Sequence, residues 1–158
     1  MMPKNPKLIV YDFDGVMTNN KILIFEDGRE GVVVNRGDGW GVEQLQKAGF
    51  KQIILSTEKN PVVSARAKKL KIAALQGCDD KKKQLAKYCK KNKIQLSHVV
   101  YVGNDVNDLA AMKIAGFVIA PADSHRSVLK IADHVTQAQG GGGVVREISD
   151  LILGKKRF

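Results

Sequence analysis

Cysteine is nearly absent from this chain, and the two that occur, Cys78 and Cys89, stand in no CxxC or His-rich pattern. That excludes a disulfide framework or a zinc site built on such spacing and points to reduced thiols. Long apolar runs are also missing. Only a handful of apolar residues lie between Met1-Met2-Pro3-Lys4-Asn5-Pro6-Lys7 and Asp12, too few for a secretory leader or a membrane span. A soluble, cytoplasmic protein with no membrane partner is expected. Acidic residues are scarce beside basic ones, 16 against 26, for a formal net charge of +10. The excess falls into short clusters, Lys68-Lys69-Leu70-Lys71, Lys81-Lys82-Lys83, Lys90-Lys91-Asn92-Lys93 and Lys155-Lys156-Arg157, separated by apolar segments. Such clusters read as solvated helix faces that still draw in anions. Aromatic residues make up 6% and do not interleave with the basic runs, so no nucleic-acid partner is expected.

What remains is ordinary globular material: 158 residues, 44% hydrophobic, the size of one domain spanning 1–158. Apolar runs of strand length recur at 8–11, 52–55, 99–102 and 117–120. Between and after them, helical spacing is predicted at 40–48, 61–70, 80–91, 106–115, 126–132 and 144–153. The alternation implies an α/β fold, a Rossmann-like parallel sheet sandwiched between two helical layers.

One stretch breaks the rhythm. Two β-rich arms, 21–26 and 30–35, flank Asp27-Gly28, which predicts a β-hairpin inserted after the first strand. Both arms are apolar (Ile22, Leu23, Ile24, Phe25; Val32, Val33, Val34), and a two-stranded ribbon cannot cover both of its own faces. The hairpin is therefore expected to pack against other copies of the chain, the alternative being that it lies on its own domain. The low-complexity run Gly140-Gly141-Gly142-Gly143, just ahead of the last helix, reads either as a linker or as a backbone anion nest.

Ligands of an open parallel sheet bind beyond the carboxyl ends of its strands, and four polar groups fall there: Asp12-Phe13-Asp14, Ser56-Thr57-Glu58-Lys59, Lys81, and Gly103-Asn104-Asp105-Val106-Asn107-Asp108. Two carboxylates side by side repel unless a cation neutralises them, and oxygen ligands with a phosphate nearby suit magnesium. One carboxylate can then attack phosphorus while its neighbour moves a proton. Ser56 and Lys81 would hold the phosphate oxygens, and the acidic cluster at 104–108 would complete the metal shell.

In this arrangement the chain resembles the haloacid dehalogenase superfamily, whose first motif, DxDG[VT]x[TV], is matched by Asp12-Phe13-Asp14-Gly15-Val16-Met17-Thr18. Within it the chain is similar to the small phosphatases, lacking a cap domain, that act on 3-deoxy-D-manno-octulosonate 8-phosphate and on 2-keto-3-deoxynononate or N-acylneuraminate 9-phosphate. The shared features are the hairpin, Asp38-Gly39-Trp40-Gly41, Gln76-Gly77 before Asp80-Lys81, Tyr101-Val102-Gly103, and Gly141-Gly142-Gly143-Val144-Val145-Arg146-Glu147. The resemblance implies Asp12 as nucleophile and metal ligand, Asp14 as general acid and base that also binds metal through its carbonyl, Ser56 as the second motif and Lys81 as the third. It implies sugar-acid contacts from Thr57, Glu58, Arg66, Lys69 and Arg146, a Mg2+ cofactor, and a homotetramer in which a neighbour closes each site.

The fourth motif departs from the pattern: an aspartate normally follows the glycine, and Asn104 stands there instead. Asn104 is expected as the direct ligand with Asp108 orienting the site, and Asp105 is a further metal candidate. A competing expectation is a silent relative that serves as the assembly module of a cytidylyltransferase making activated sugar acids. His98, His125 and His134 show no ligand spacing and are left out of the catalytic set, and Arg36-Gly37-Asp38 is read as a coincidental adhesion tripeptide.

Overall fold

The computed structural model describes residues 6–154. The basic tail at 155–157 and the first five residues lie outside them. Six parallel strands form one sheet in the order β5-β4-β1-β6-β7-β8: β1 (Leu8–Tyr11), β4 (Lys51–Leu55), β5 (Ala73–Leu75), β6 (Val99–Val102), β7 (Phe117–Ala120) and β8 (His134–Val135). Every residue of β1, β6 and β7 is buried, which is why these strands read as unbroken apolar runs. Alternate side chains serve opposite layers. Ile9 and Tyr11 pack with Val42, Leu45, Val63 and Ile148 from helices α1 (Arg36–Lys47), α2 (Val62–Leu70) and α6 (Val144–Ile152). Leu8 and Val10 pack with Leu85, Cys89 and Met112 from α3 (Lys81–Lys91) and α4 (Leu109–Met112). Each fully buried aliphatic or aromatic side chain contributes about 1.5–3 kcal/mol of transfer free energy.

Chain direction across the sheet reverses at β1, which pairs with β4 on one side and β6 on the other. The register sets Tyr11 opposite both Ile54 and Val102, so the residues that follow, at 12, 55 to 56 and 103 to 104, emerge side by side. A switch point of this kind is where doubly wound sheets bind ligands.

The hairpin is longer on its first arm than expected. β2 (Thr18–Ile24) starts three residues earlier and pairs antiparallel with β3 (Glu30–Val34), with a register shift between Thr18 and Ile22. Asn35 is not a strand residue but the N-cap of α1, its Oδ1 accepting from Gly37 N at 2.7 Å, so α1 begins at Arg36 rather than at 40. The helix expected over 106–115 is a 3-10 turn at Val106–Asp108 followed by the single turn of α4, because Asp105 and Asp108 cap a tight turn there. The expected helix at 126–132 is likewise only α5 (Arg126–Leu129). No helix of the described residues is long and apolar enough to cross a membrane.

Candidate active site

A cleft of about 160 Å³ opens above β1, β4 and β6, lined by Asp12, Asp14, Asn20, Ser56, Thr57, Asn104, Asp105, Val106 and Asn107. Beneath it lies a buried triad. Lys81 Nζ sits 2.8 Å from Asp12 Oδ1 and 2.7 Å from Asp108 Oδ1, with all three side chains at most 6% exposed. Lys81 reaches this position because Asp80 caps α3, its carboxylate accepting from Lys83 N at 2.9 Å, which starts the helix with Lys81 turned inward. Burial pulls the Lys81 ammonium down, yet Asp12 and Asp108 beside it prevail and hold it above its usual value. An ammonium has three protons, and two of them go to these carboxylates.

Asp12 Oδ1 also accepts from Phe13 N at 2.7 Å, while Phe13 itself is buried in the core. Burial, then the charge of Asp108, push the Asp12 carboxyl up to about 8 against the pull of Lys81. Asp14 is half-buried; burial, then the Glu58 charge, raise its carboxyl, and Thr18 Oγ1 at 3.4 Å opposes this. The two acids of the first motif both line the cleft but occupy unlike environments, Asp12 buried and locked to a lysine and Asp14 half-buried.

Asp108 does not line the cleft. Its Oδ1 accepts from Lys81 and from Tyr101 OH at 2.9 Å, and its Oδ2 accepts from Asn104 N at 3.0 Å and Asp105 N at 3.3 Å. With four donors on two oxygens and no exposure, it is an anchor for Lys81 and the 104–105 backbone rather than a free ligand. Asp105 lines the cleft, with its Oδ1 accepting from Val106 N at 2.7 Å. Asn104 is different: it is buried, and its Oδ1 has no hydrogen-bond partner. A buried acceptor left unpaired costs roughly 1–3 kcal/mol, the mark of a group kept for something else. Gly15 makes room for it. A Cβ at Gly15, whose φ is 80°, would fall 2.0 Å from Asn104 Nδ2, so no side chain fits there.

Ser56 is buried at the end of β4, with its Oγ accepting from Glu58 N at 3.1 Å, which leaves its hydroxyl proton to donate. Glu58 turns back on its own loop, Oε1 accepting from Lys59 N and Asn60 N at 2.7 and 2.8 Å. Arg66 and Lys69 are not brought to the cleft. They line a separate groove of about 780 Å³ with Val32, Val34, Arg36 and Lys71, and Arg66 donates to Asn35 O at 2.9 Å. Arg146 pairs through Nε with Asp150 at 3.2 Å on the surface of α6. Sequence reasoning missed Tyr101 as the second anchor of Asp108, although its place at the end of a buried strand was visible. It also missed Thr18, which ties Gly15 N, Asn20 N and Asp14 together from within the first motif.

The glycine run is not a slack linker, and three of its four amides are not open to an anion. Gly140 N donates to Asp123 Oδ1 at 2.8 Å, Gly141 N to Val16 O at 3.1 Å and Gly142 N to Gln139 O at 2.8 Å, so these amides are already used. A Cβ at Gly140 would lie 2.3 Å from Gly15 O, and one at Gly141 would lie 2.5 Å from Asn19 N. Only bare backbone lets this loop lie flat against the turn that carries Asp14.

Residues 41–148 match the model of the haloacid dehalogenase-like hydrolases. The chain belongs to this family. The hydrolase is 33% identical over 151 residues to 3-deoxy-D-manno-octulosonate 8-phosphate phosphatase KdsC of Escherichia coli K12, covering 95% of the chain and 80% of that relative. Its fold superimposes with a TM-score of 0.95 on a HAD family hydrolase from Streptomyces avermitilis MA-4680, at 46% identity over 98% of this chain and 90% of the other. It also matches 3-deoxy-D-manno-octulosonate 8-phosphate phosphatase from Moraxella catarrhalis, solved with a magnesium ion, a phosphate ion and a KDO molecule (TM-score 0.91, 35% identity, 94% and 86% of the two chains). By family and by these relatives the hydrolase is a phosphatase.

Oxygen donors suit a divalent cation here. Among the described residues no three His, Cys, Asp or Glu side chains converge on one point, so a cation in this hydrolase needs donors besides carboxylates. Asp12, Asp14 and Asn104 line the same cleft, and the orphaned Asn104 oxygen supplies such a donor.

Proposed function

We propose that this phosphatase hydrolyses the phosphate monoester of an eight- or nine-carbon 2-keto-3-deoxy sugar acid through a phosphoryl group carried on Asp12. The observation that supports it most directly is the Asp12–Lys81–Asp108 triad beneath a cleft that also holds Asp14 and Ser56. Phe13 N and Lys81 both bond Asp12 Oδ1, so Oδ2 is the oxygen that attacks phosphorus. As the P–O ester bond breaks, Asp14 gives its proton to the leaving alkoxide; it then takes a proton from the water that attacks the aspartyl phosphate. The upward shift of Asp14 suits a group that must start protonated. The Ser56 hydroxyl and the third Lys81 proton hold the phosphate oxygens. Asp12, the Asp14 carbonyl and Asn104 Oδ1 would hold Mg2+. When bound, the cation neutralises the charge that would otherwise keep an anionic phosphate from two carboxylates.

Support for the substrate class comes from the Escherichia coli and Moraxella catarrhalis relatives, whose names specify 3-deoxy-D-manno-octulosonate 8-phosphate. The test is phosphate release from octulosonate 8-phosphate, nononate 9-phosphate and acylneuraminate 9-phosphate, each with and without Mg2+. Release from at least one, dependent on the cation, is expected; release from none would favour the silent assembly module. Asn104 bears on the same point, because it leaves the proposed cation with one carboxylate ligand, Asp12, instead of two. Asn104→Asp should tighten Mg2+ at least about tenfold, read by calorimetric titration, and an unchanged affinity would mean that residue 104 does not face the cation.

The proposed tetramer rests on the hairpin. Ile22, Leu23, Ile24, Phe25 and Val33 are 50%, 60%, 71%, 49% and 55% exposed, on both faces of the ribbon. Arg66 and Lys69, in a groove that shares no residue with the cleft, would reach a sugar acid held by a neighbouring copy. Leu23→Glu with Ile24→Glu should lower the sedimenting mass to that of a monomer; an unchanged mass would place the interface elsewhere.

A further inference from the structure

A carboxylate outside the cleft sits where three helices meet. Asp38, in the first turn of α1, is 1% exposed, and its Oδ1 accepts from Arg146 N, in the first turn of α6, at 3.0 Å. The Val145 amide also faces it. Helix α6 has no side-chain cap of its own, because Gly143 stands at its N-cap position with φ 102°. Its first-turn amides are satisfied from α1 instead. From the other sides Asp38 faces the Arg66 guanidinium of α2 and the Tyr11 phenol of β1.

Keeping a charge here has a cost. Burial, against the Arg146 amide and Arg66, pushes the Asp38 carboxyl up from 3.8 to about 6. A folded-state value above the unfolded one means stability falls as pH rises through that window, so at neutral pH the ionised group works against folding. What the side chain holds is the first turn of α6, through the oxygen that accepts from Arg146 N. Directly ahead of α6 is the glycine loop, whose bare backbone lies on residues 15–19 and whose Gly141 amide bonds Val16 O. That turn carries Thr18, which bonds both Gly15 N and Asp14. Glu147, in the same first turns of α6, accepts from Gln137 N and Ala138 N at 2.9 Å each and fixes the other side of the loop.

We propose that Asp38 is a positioning residue for the reaction: by capping α6 from α1 it presses the glycine loop against the 15–19 turn and so fixes Asp14 over the cleft. This rests on the reading of Asp14 as the general acid and base. Asp38 touches neither substrate nor reacting atoms, and its effect passes through four contacts: α6, Gly140 to Gly141, the 15–19 backbone, and Thr18.

The test compares Asp38→Ala and Asp38→Asn with the parent protein in amide hydrogen exchange and in steady-state kinetics. Asn keeps an acceptor oxygen for Arg146 N and loses only the charge. Asp38→Ala should exchange the Gly141 amide about tenfold faster and lower kcat about tenfold, with KM within about threefold. Asp38→Asn should restore both. Parental exchange at Gly141 in Asp38→Ala, or failure of Asn to restore it, would overturn the proposal. If Asp38→Ala does not fold, Asp38→Asn carries the test alone: parental exchange and kcat support it, and faster exchange at Gly141 overturns it. Should the parent release phosphate from no substrate, the phosphatase reading fails by itself, and the exchange experiment still decides whether Asp38 holds the loop.

Discussion

Asp12→Asn should abolish phosphate release, by at least about 10⁴-fold, while leaving the protein folded. The substitution is isosteric. Its amide oxygen can still accept from Phe13 N and Lys81, the two donors that now meet Oδ1 at 2.7 and 2.8 Å. What disappears is the second carboxylate oxygen, and with it the ability to form an acyl phosphate. Because Asp12 is buried and its charge is opposed by burial and by Asp108, losing that charge relieves a cost, so the variant should unfold at a urea concentration no lower than the parent's. Lost activity with retained stability separates a nucleophile from a structural carboxylate. A variant with parental turnover would remove Asp12 from the chemistry altogether.

Lys81→Met should be damaging in a different way, lowering both activity and stability. The lysine is the sole cation bonded to Asp12 and Asp108 among the described residues, and its side chain is 1% exposed. Removing one member of a buried ionic group leaves uncompensated charge and costs about 3–5 kcal/mol, read from denaturant midpoints. The pH dependence has a definite sign. Without the lysine, Asp12 rises beyond its already elevated value of about 8, so the folded protein binds more protons than the unfolded chain across the acid-to-neutral range. Parent and variant both lose stability as pH rises toward about 8, so the deficit should stay level to that point and widen above it, where the parental Asp12 ionises and the variant's resists. Adding Asp108→Asn to Lys81→Met should recover part of the loss by removing one of the two like charges. A deficit independent of pH would show that packing of the lysine stem, and not its charge, holds the triad together.

Much of this site could be read from the chain because its parts are local. Leu8–Tyr11 and Val99–Val102 are buried on both faces, so they read as apolar runs, and the polar residues after them fall at strand ends by simple counting. Lys81 was legible by its order after the other motifs, but its pairing with Asp108, 27 residues away, and the support from Tyr101 belong to tertiary structure. The strands Ala73–Leu75 and His134–Val135 are too short for any periodicity to show. Residues 106–115 read as one helix from their apolar spacing, and capping by Asp105 and Asp108 broke it into a tight turn and a single helical turn. Arg66 and Lys69 followed the pattern of a sugar-acid site, yet spacing could not reveal that they open onto another groove. The glycine run looked like slack chain, since a sequence does not show the backbone that bare glycines are packed against.

The pocket around residue 104 has an evolutionary consequence. Gly15 leaves just enough room for a planar four-heavy-atom side chain there, and the neighbouring backbone is held by Asp108. Asparagine and aspartate share that shape, and their codons differ at one base. The lineage of this chain can therefore gain or shed a full unit of charge in the cleft that Asp12 lines, in a single mutational step and without repacking any neighbour. On the proposed reading of Asn104 as a cation ligand, metal affinity is free to drift while the fold stands still.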